Sequence, residues 1–303
     1  MSSETNTCII TGANGFVGGR LKHHLEQAGW RVIAWTRQPQ NELNQAAFCL
    51  GEEVDPLRFK GARALVHCAY DFGPRTWDEI VAVNVLGSQK LLQAARAAAV
   101  ESVVFISSLS AFAGCRSLYG KAKIEIESYA KAVGSTVVRP GLVYGEDSGG
   151  MFGRLTRQVR GSRFVPIIVG GRQTQYLVHE SDLGNLVLAS IDGRLPAGTG
   201  PISVAHEQGW ELKEILGQIA QSLGERVSFV PIPWQLGWVA LRLVEMAGAR
   251  PGFRSDSLIG MVYQDPNPSF ALLKSLGFQC RPFRLQATLT TGAPPRGSRP
   301  NGS

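Results

Sequence analysis

The sequence predicts an α/β fold: a doubly wound parallel sheet of the Rossmann type, with a smaller mixed substrate-binding part toward the C-terminus. Between residues 7 and 139, six short apolar segments alternate with stretches of helical periodicity, the pattern of a parallel sheet. A glycine-rich turn joins the first apolar segment to the first helix. Several strands are followed by glycine, by other small residues or by residues with a hydroxyl group. These residues lie at the carboxyl edge of the sheet, where such sheets bind ligands.

Length and composition limit the class of protein. The chain has 303 residues, 44% of them hydrophobic, which suits one large α/β unit or a main domain with an appendage. A solvated basic surface and attraction of an anionic cofactor or substrate explain the net charge of +7 equally well. Nucleic-acid binding is disfavoured, because no basic run is interleaved with aromatic residues.

Cysteine usage predicts a reduced, cytoplasmic protein. The cysteines form no C-x-x-C motif and no histidine pairing at metal spacing, so we expect free thiols and no metal. Met1 to Asn6 is polar and leads directly into a strand, so no secretory signal is predicted. No apolar run reaches the length of a transmembrane segment. The cysteines are Cys8, Cys49, Cys68, Cys115 and Cys280.

The first strand, Thr7 to Thr11, precedes the glycine turn, and a helical pattern over Gly19 to Ala28 follows it. This context turns a glycine motif into a candidate phosphate site. The first glycine permits the tight turn, the second lets the backbone approach a pyrophosphate, and the third lets helix pack on strand. The spacing is G-x-x-G-x-x-G. The predicted cofactor-binding residues of the turn are Gly12, Asn14, Gly15, Phe16, Val17 and Gly18.

The second strand, Arg31 to Thr36, predicts the type of dinucleotide. An NAD site would place an Asp or Glu at the end of this strand to bind the ribose 2′-hydroxyl. Arg37 stands there instead, about twenty residues beyond the last glycine. Because a guanidinium binds phosphate through forked hydrogen bonds, we expect NADP(H) to be favoured over NAD(H).

Two further strands and a long helix follow. Ala47 to Leu50 is predicted as the third strand, and Asp55-Pro56 as the start of a short helix. Ala64 to Cys68 is the fourth strand, in which His67 is interpreted as a packed residue rather than a base. Ala69 follows at the carboxyl edge of the sheet, where a cofactor would bind and which we call the cofactor edge. Asn84, within the helical stretch Thr76 to Ala98, needs a partner, which is either backbone or a water in a proton path.

The residues with the most distinctive chemistry come next. The fifth strand, Ser102 to Ser107, is followed by Ser108 and Ser110, and the next helix contains Tyr119 and Lys123. A tyrosine and a lysine four apart share one helix face, so the ammonium can lower the pKa of the phenol toward the working range. The helix is predicted from Ser117 to Val133, the sixth strand from Thr136 to Arg139, and Pro140 follows at the cofactor edge.

These motifs resemble the extended short-chain dehydrogenase/reductase superfamily of NAD(P)-dependent nucleotide-sugar epimerases, dehydratases and reductases. The resemblance covers roughly residues 5 to 225, and the motifs occur in the family's order. They are Thr11-Gly12-Ala13-Asn14-Gly15-Phe16-Val17-Gly18, Val66-His67-Cys68-Ala69, Asn84-Val85-Leu86-Gly87, Phe105-Ile106-Ser107-Ser108, Tyr119 with Lys123, Arg139-Pro140 with Val143-Tyr144-Gly145, and Val178-His179-Glu180-Ser181-Asp182-Leu183.

The resemblance implies roles for single residues. Tyr119 would be the general acid/base, Lys123 would lower its pKa and hold the nicotinamide ribose, and a serine after the fifth strand would polarise the carbonyl. Ser108 is the first candidate for that serine and Ser110, otherwise a substrate residue, is the second. Leu109 stands where dehydratases of the family have an acidic residue, so dehydration is disfavoured. Arg37 resembles the NADP-using, dihydroflavonol-reductase-like members.

The second half is predicted to bind substrate. Arg172, in a glycine loop, is a candidate for a substrate diphosphate, or a plain loop arginine. The segment Pro233 to Ala247 has two tryptophans and many aliphatic residues. A substrate-domain helix is the first interpretation, and an interfacial helix docked on a membrane is the alternative. The other predicted elements are helices over Met151 to Arg160, Glu180 to Asp192, Trp210 to Leu223 and Asn267 to Leu276, and a strand over Pro201 to Ala205.

We expect a dinucleotide-binding domain over residues 1–165, joined again by 176–205. A substrate part spans 166–175 and 206–289, and a Pro/Gly/Ser/Arg-rich disordered tail spans 290–303. The predicted function is hydride transfer at a sugar carbon of a nucleotide-linked sugar, by a keto-sugar reductase or epimerase. The alternatives are an NADPH-dependent reductase of a small hydrophobic ketone and a non-catalytic NADP-sensing protein. The expected partner is an anionic small molecule, and a homodimer is one candidate assembly.

Overall fold

A seven-stranded parallel sheet forms the centre of the protein in the computed structural model, which describes residues 6–40, 43–146, 149–249 and 253–285. The strand order is β11-β6-β5-β4-β1-β2-β3. This order confirms the predicted doubly wound fold, because the chain leaves β1 toward one edge and returns to build the other. The strands are β1 (Thr7–Thr11), β2 (Arg31–Thr36), β3 (Gln45–Ala47), β4 (Ala64–His67), β5 (Ser102–Ile106), β6 (Thr136–Pro140) and β11 (Ile202–Val204).

Ten α-helices lie in the described part of the chain. The 3₁₀ turn Pro56–Phe59 precedes α2, and the π-helical segment Val81–Val85 joins α2 to α3. The helices are α1 (Phe16–Gln27), α2 (Trp77–Ile80), α3 (Leu86–Ala97), α4 (Leu118–Ala132), α5 (Gly150–Val159), α6 (Glu180–Ile191), α7 (Leu212–Leu223), α8 (Trp234–Met246), α9 (Ser255–Val262) and α10 (Ala271–Ser275). Within the described ranges, no helix combines the length and apolarity that crossing a bilayer requires.

Both faces of the central sheet are covered, because its strands are apolar on both sides. One hydrophobic cluster includes Leu21 and Leu25 of α1 with Leu186 of α6, and lies on one face. A second cluster includes Leu91 of α3 with Ile126 of α4, and lies on the other face. The sheet is thus the middle of three layers. Its carboxyl edge, where β1, β4, β5 and β6 end, is left to the loops.

The C-terminal part contains three two-stranded sheets and a third hydrophobic cluster. That cluster joins residues of α5, α7 and β8, for example Phe152, Ile215 and Val165. Helix α8 follows β13 directly and packs on α9. The paired strands are β7 (Leu142–Tyr144) with β10 (Leu177–His179), β9 (Thr174–Gln175) with β12 (Trp210–Glu211), and β8 (Phe164–Ile168) with β13 (Ser228–Ile232).

Several predicted boundaries are wrong in detail. The third strand is Gln45–Ala47, earlier than predicted, because it pairs with Ala34 to Thr36 of β2. The last predicted helix begins at Ala271 rather than at Pro268, because Asn267 belongs to a turn in which its amide donates to Asp265. Residues Trp210–Glu211 form a short strand before α7. The predicted disordered tail, 290–303, lies outside the described residues, and the domain boundaries stay predictions.

Candidate active site

The glycine turn lies at the carboxyl end of β1 and leads into α1. Gly12 has a φ of 70°, and a Cβ there would be 2.9 Å from the Cα of Ala69. A Cβ on Gly18 would overlap the carbonyl of Gly12, so the helix can approach the strand only because Gly18 has no side chain. Asn14 and Gly15 are exposed beside this close contact. The turn is therefore compact and open to solvent at the same time.

The residues of this turn fit a dinucleotide phosphate. Helix α1 begins after Gly15, and no side chain caps its first turn. Uncapped amides at a helix N-terminus carry a partial positive charge and need an acceptor. Phe16 and Val17 occupy the first two helical positions, and the ring of Phe16 lies against Gly149 and Gly150. An anion bound at these amides would take the place of the missing cap.

Arg37 does not stand alone at the end of β2. Its guanidinium is 3.7 Å from the carboxylate of Asp71, and its side chain is largely exposed. Asn84 fixes the backbone of Asp71, since its Oδ1 accepts from the Asp71 amide at 2.7 Å and its Nδ2 donates to the Asp71 carbonyl at 3.0 Å. Asn84 thus has backbone partners, which was one of the two expectations. The sequence analysis did not identify Asp71, whose carboxylate partly neutralises the charge of Arg37.

The two serines after β5 have different partners. Ser107 is buried and its hydroxyl donates to the carboxylate of Glu127, which also accepts two hydrogen bonds from Arg139 at 2.8 and 2.6 Å. The hydroxyl of Ser108 instead lies near the Tyr119 phenol, close enough to oppose the rise of its pKa. Ser107 is therefore part of a buried structural network, whereas Ser108 is available to a reacting group. The serine next to the phenol is the one the sequence favoured.

Tyr119 lies in the first turn of α4, and that turn is capped twice. The hydroxyl of Ser117 accepts from the Gly120 amide at 3.1 Å. The carboxylate of Asp256, from α9, accepts from the amides of Leu118 and Tyr119 at 2.7 and 3.0 Å. Charge-assisted bonds of this kind hold a helix end firmly in place. Asp256 was missed because its partners are more than 130 positions away in the sequence.

Gly120 explains how the serine loop reaches the tyrosine. A Cβ at this position would overlap the carbonyl of Ser110, so the loop after β5 can lie against α4 only if this residue is glycine. Ser110 itself turns back on the loop, where its amide donates to the Ser108 hydroxyl at 3.1 Å. Ser110 therefore positions Ser108 through its backbone amide. In the part of the chain that the structure describes, the Ser110 hydroxyl itself forms no hydrogen bond.

Lys123 is buried one turn after Tyr119. Its Nζ donates to the carbonyl of Ile106 at 2.8 Å and lies 5.8 Å from the centroid of the Tyr119 ring. Burial lowers the pKa of Lys123 to about 8, while Cys68 and Glu127 oppose that shift. The ammonium is thus held beneath the phenol by a single backbone carbonyl, with hydrogen-bonding capacity left over.

The pKa of Tyr119 differs from the sequence-based expectation. Burial raises it to about 12, and the neighbouring Ser108 hydroxyl only partly offsets this. The expectation that Lys123 brings the phenol into the working range is therefore wrong for the protein alone. The physical reason is that the ring is desolvated by burial. At neutral pH the phenol of Tyr119 is therefore protonated.

Aromatic rings surround the phenol. The ring of Tyr70 meets that of Tyr119 edge to face with centroids 4.9 Å apart, and Phe72 stacks on Tyr119 at 5.8 Å. Arg254, before α9, donates to the carbonyls of Phe72 and Pro74. The sequence analysis did not predict this wall. The alternation Tyr70-Asp71-Phe72 was the available signal.

The remaining predicted residues lie in varied places. Ala69 donates to the hydroxyl of Thr11 and faces Gly12, and the carbonyl of Pro140 accepts from Leu109, so both line the strand ends. His67 is fully buried between hydroxyls of Thr11 and Ser88, and burial lowers its pKa to about 3. It is packed, as interpreted. Arg172 is exposed after the turn Val169–Gly171, and none of its described contacts is to Ser108, Tyr119 or Lys123.

Comparison with known proteins assigns this arrangement to a family. The family model described as "NAD dependent epimerase/dehydratase family" matches residues 8–197. A ceramide reductase of Caulobacter vibrioides is 27% identical over 236 residues, 74% of this chain and 73% of that protein. An N-acetyl-α-D-glucosaminyl-diphospho-ditrans,octacis-undecaprenol 4-epimerase of Escherichia coli O157:H7 is 22% identical over 260 residues, 76% of each chain.

Solved structures agree in fold. The structure of MoeE5 in complex with UDP-glucose and NAD superimposes with a TM-score of 0.71 at 22% identity, covering 92% of this chain and 94% of that one. At this level of identity the likeness concerns the fold alone. The matched family model covers the glycine turn, the serine pair and the Tyr119–Lys123 helix. The chain belongs to the NAD-dependent epimerase/dehydratase family of the extended short-chain dehydrogenase/reductase superfamily, and is an NAD(P)-dependent enzyme.

Proposed function

We propose that the protein interconverts a ketone and a secondary alcohol, with Ser108, Tyr119 and Lys123 as its catalytic residues. The observation that supports this most is that Ser108 lies near the Tyr119 phenol, with the Lys123 ammonium 5.8 Å from the centroid of the same ring. A bound nicotinamide would supply or accept the hydride. Ser108 holds the substrate oxygen by a hydrogen bond, and Tyr119 passes its proton to that oxygen.

We propose reduction as the favoured direction. Because its pKa is raised to about 12, the phenol of Tyr119 is protonated in the resting protein, which is the state that a reduction consumes. Lys123, with its pKa near 8, is mostly charged at neutral pH and stabilises the phenolate left behind. Epimerisation would use the same residues in both directions. It is supported by the epimerases among the relatives.

For the cofactor we propose NADP(H) rather than NAD(H). Arg37 stands at the end of β2 with its guanidinium largely exposed and turned toward Asp71. A 2′-phosphate at this position would receive hydrogen bonds from the free guanidinium nitrogens. The uncapped first turn of α1 and the compact Gly12–Gly18 contact would hold the pyrophosphate.

The substrate we propose is a hydrophobic carbonyl compound. The phenol of Tyr119 is flanked by Tyr70 and Phe72. A cavity of about 500 Å³ lies next to α8 and α9, and every residue that lines it is uncharged. The ring of Tyr263 in that cavity lies under the guanidinium of Arg116, three positions before Tyr119 in the sequence. The ceramide reductase and the undecaprenol-linked epimerase also act on lipid compounds, by their names.

A nucleotide-linked sugar, the substrate predicted from the sequence, is the second candidate. The structural neighbour that holds UDP-glucose and NAD supports it. Arg172 would then meet the diphosphate, since it follows Gly170, which lines the same cavity. Homodimerisation and a cytoplasmic location stay predictions.

A substrate panel separates the two candidates. We expect NADPH oxidation with long-chain 3-keto compounds and little with nucleotide 4-keto sugars, because a diphosphate would enter an uncharged cavity. The matched variants are Arg172→Ala, which removes a charge beside the cavity, and Trp234→Ala, which removes a ring from its lining. Loss of activity in Arg172→Ala with Trp234→Ala unaffected would favour the nucleotide sugar. A protein that oxidises NADPH with neither class, yet binds the cofactor, would overturn the proposed activity.

A further inference from the structure

Helix α8 exposes an apolar stripe to solvent. Leu236, Val239, Leu243 and Met246 follow the 3–4 spacing of one helix face and are 63%, 46%, 61% and 76% exposed. Val244, beside them, is 43% exposed. A helix on a protein surface normally has polar residues on its outer face. An outer face of five large apolar side chains instead indicates a surface that another molecule or a membrane covers.

The opposite face of α8 already holds the helix in place. Glu245 is buried and its carboxylate accepts from the amide and the hydroxyl of Ser255 at 2.8 Å each. Gly237 lies against Leu258 of α9, and Arg75 donates to the carbonyl of Glu245. These contacts fix α8 without the outer stripe. The exposed apolar residues are therefore not needed to build the fold.

Exposed apolar residues also lie on the strands that precede α8. In the pair β8–β13, Pro166 lies beside Val230, and both are exposed. Phe164, two positions before Pro166 on the same face, is 64% exposed. Strand β13 ends at Ile232 and α8 begins at Trp234, so one residue of chain separates strand from helix. We call these exposed residues together, Phe164, Val230 and the α8 stripe, the apolar edge.

The chain next to the apolar edge is strongly basic. Between residues 149 and 175 there are five arginines and no aspartate or glutamate. All five are exposed, and none forms an ion pair with any residue that the structure describes. Arg163 directly precedes Phe164, and Arg242 lies on α8 itself. The five are Arg154, Arg157, Arg160, Arg163 and Arg172.

We propose that the apolar edge docks on the surface of an anionic lipid bilayer. Helix α8 has 13 residues, so it is about 20 Å long, too short to cross a hydrocarbon core of about 30 Å. A helix of this kind lies in the plane of the interface, with its apolar side chains among the acyl chains. The arginines of residues 149–175 complement the negative charge of the lipid headgroups.

Helix α9 connects α8 to the helix turn that carries Tyr119. Helix α9 packs on α8 and its Asp256 caps the helix turn of Tyr119. Trp234, at the start of α8, lines the uncharged cavity together with Tyr263. A lipid whose carbonyl group enters this cavity would not have to leave the bilayer completely. This last step rests on the proposed reduction of a hydrophobic carbonyl, whereas the docking itself does not.

Charge favours a bilayer over a second copy of the chain as the occupant. In a two-fold dimer the same surface faces itself, so the arginines beside the apolar edge, such as Arg163, would be brought into one interface with those of the second copy. Like charges placed together in a desolvated interface are costly, whereas anionic headgroups neutralise them. The apolar edge with its flanking arginines therefore suits a partner that has a negatively charged surface and an apolar interior, as an anionic bilayer does.

Vesicle sedimentation tests the proposal without substrate or cofactor. The purified full chain is mixed with vesicles of phosphatidylcholine alone, or with about one third phosphatidylglycerol, at low and at physiological salt. We expect binding to the phosphatidylglycerol vesicles that weakens with salt. The double variant Leu236→Asp/Leu243→Asp should lower the partition coefficient by about tenfold or more. The matched control, Leu43→Asp/Leu57→Asp, makes the same change at two exposed leucines elsewhere and should bind as the wild type does.

Each outcome decides the proposal. Wild-type protein that stays in the supernatant with both vesicle types overturns it, as does an α8 variant that binds unchanged. A wild-type dimer that the α8 variant turns into a monomer, without vesicle binding, assigns the apolar edge to a second copy. Hydrogen exchange of wild-type protein, with protection of residues 233–247 by vesicles, gives the same answer without a variant. A Tyr119→Phe protein should bind vesicles normally, so failure of docking and failure of the proposed activity are distinguishable.

Discussion

The cofactor half and the substrate half of the candidate site are built from different kinds of contact. In the cofactor half, Gly12 and Gly18 touch within a single strand–turn–helix unit. In the substrate half, Tyr119 is held by Asp256, and Phe72 by Arg254, across more than 130 positions of sequence. A contact between residues close in the sequence can be predicted from their spacing, whereas a contact between distant residues cannot. The comparison shows which half of a site a sequence can reveal.

This difference explains what could be predicted. The glycine turn, the strands from Thr7 to Pro140 and the Tyr119–Lys123 spacing follow from local periodicity and are present in the structure. Asp256 and Arg254 could not be found in this way, because they reach the site only through tertiary packing, whereas Asp71 and the aromatic wall had a local signal in Tyr70-Asp71-Phe72. The raised pKa of Tyr119 was missed for the same reason, since burial is a property of the whole fold.

The largest effect on stability is expected at Gly18, where the cofactor half depends on one local contact. In Gly18→Ala the new methyl group overlaps the Gly12 carbonyl, so we expect a loss of about 1–3 kcal/mol of unfolding free energy and weaker dinucleotide binding. Gly217→Ala is the control, because a Cβ there meets nothing within 4 Å and should stabilise α7 by about 0.5–1 kcal/mol. Equal stability of the two variants in urea unfolding would contradict the packing argument.

The substrate half should respond most to Asp256→Ala, which removes the distant cap of α4. We expect kcat to fall about tenfold, because Tyr119 is less well positioned, and the free energy of unfolding to fall by about 1–2 kcal/mol. Cofactor affinity should not change. Asp55→Ala removes a carboxylate cap from the Pro56–Phe59 turn and should lower stability only. If both variants affect kcat equally, Asp256 has no special role at the site.

Arg37→Asp tests the cofactor half electrostatically. The variant places a carboxylate beside Asp71, so the ratio of NADP(H) to NAD(H) affinity should fall by about tenfold or more. Arg31→Asp, at the opposite end of β2, is the control and should leave the ratio unchanged. Isothermal titration with both cofactors measures it. An unchanged ratio in Arg37→Asp would remove this residue from the cofactor site.

A smaller effect is expected from a change of pH. It concerns Lys123, which lies between the cofactor half and the substrate half of the site. Burial lowers the pKa of Lys123 to about 8, so its ammonium is present below that pH and is lost above it. The rate of reduction should therefore decline as the pH rises past 8. Lys123→Met should be slow and lack this decline. A decline of the same midpoint in the variant would assign the titration to another group.

The most direct test of the account is turnover by Tyr119→Phe. This variant keeps the ring contacts with Tyr70 and Phe72 but has no proton to give. We predict that kcat for every accepted substrate falls by about 10²–10⁴-fold, with dinucleotide affinity and thermal stability unchanged. Tyr129→Phe, on the same helix, should behave as the wild type. Turnover of the Tyr119→Phe protein at the wild-type rate would contradict the assignment of Tyr119 as the proton donor.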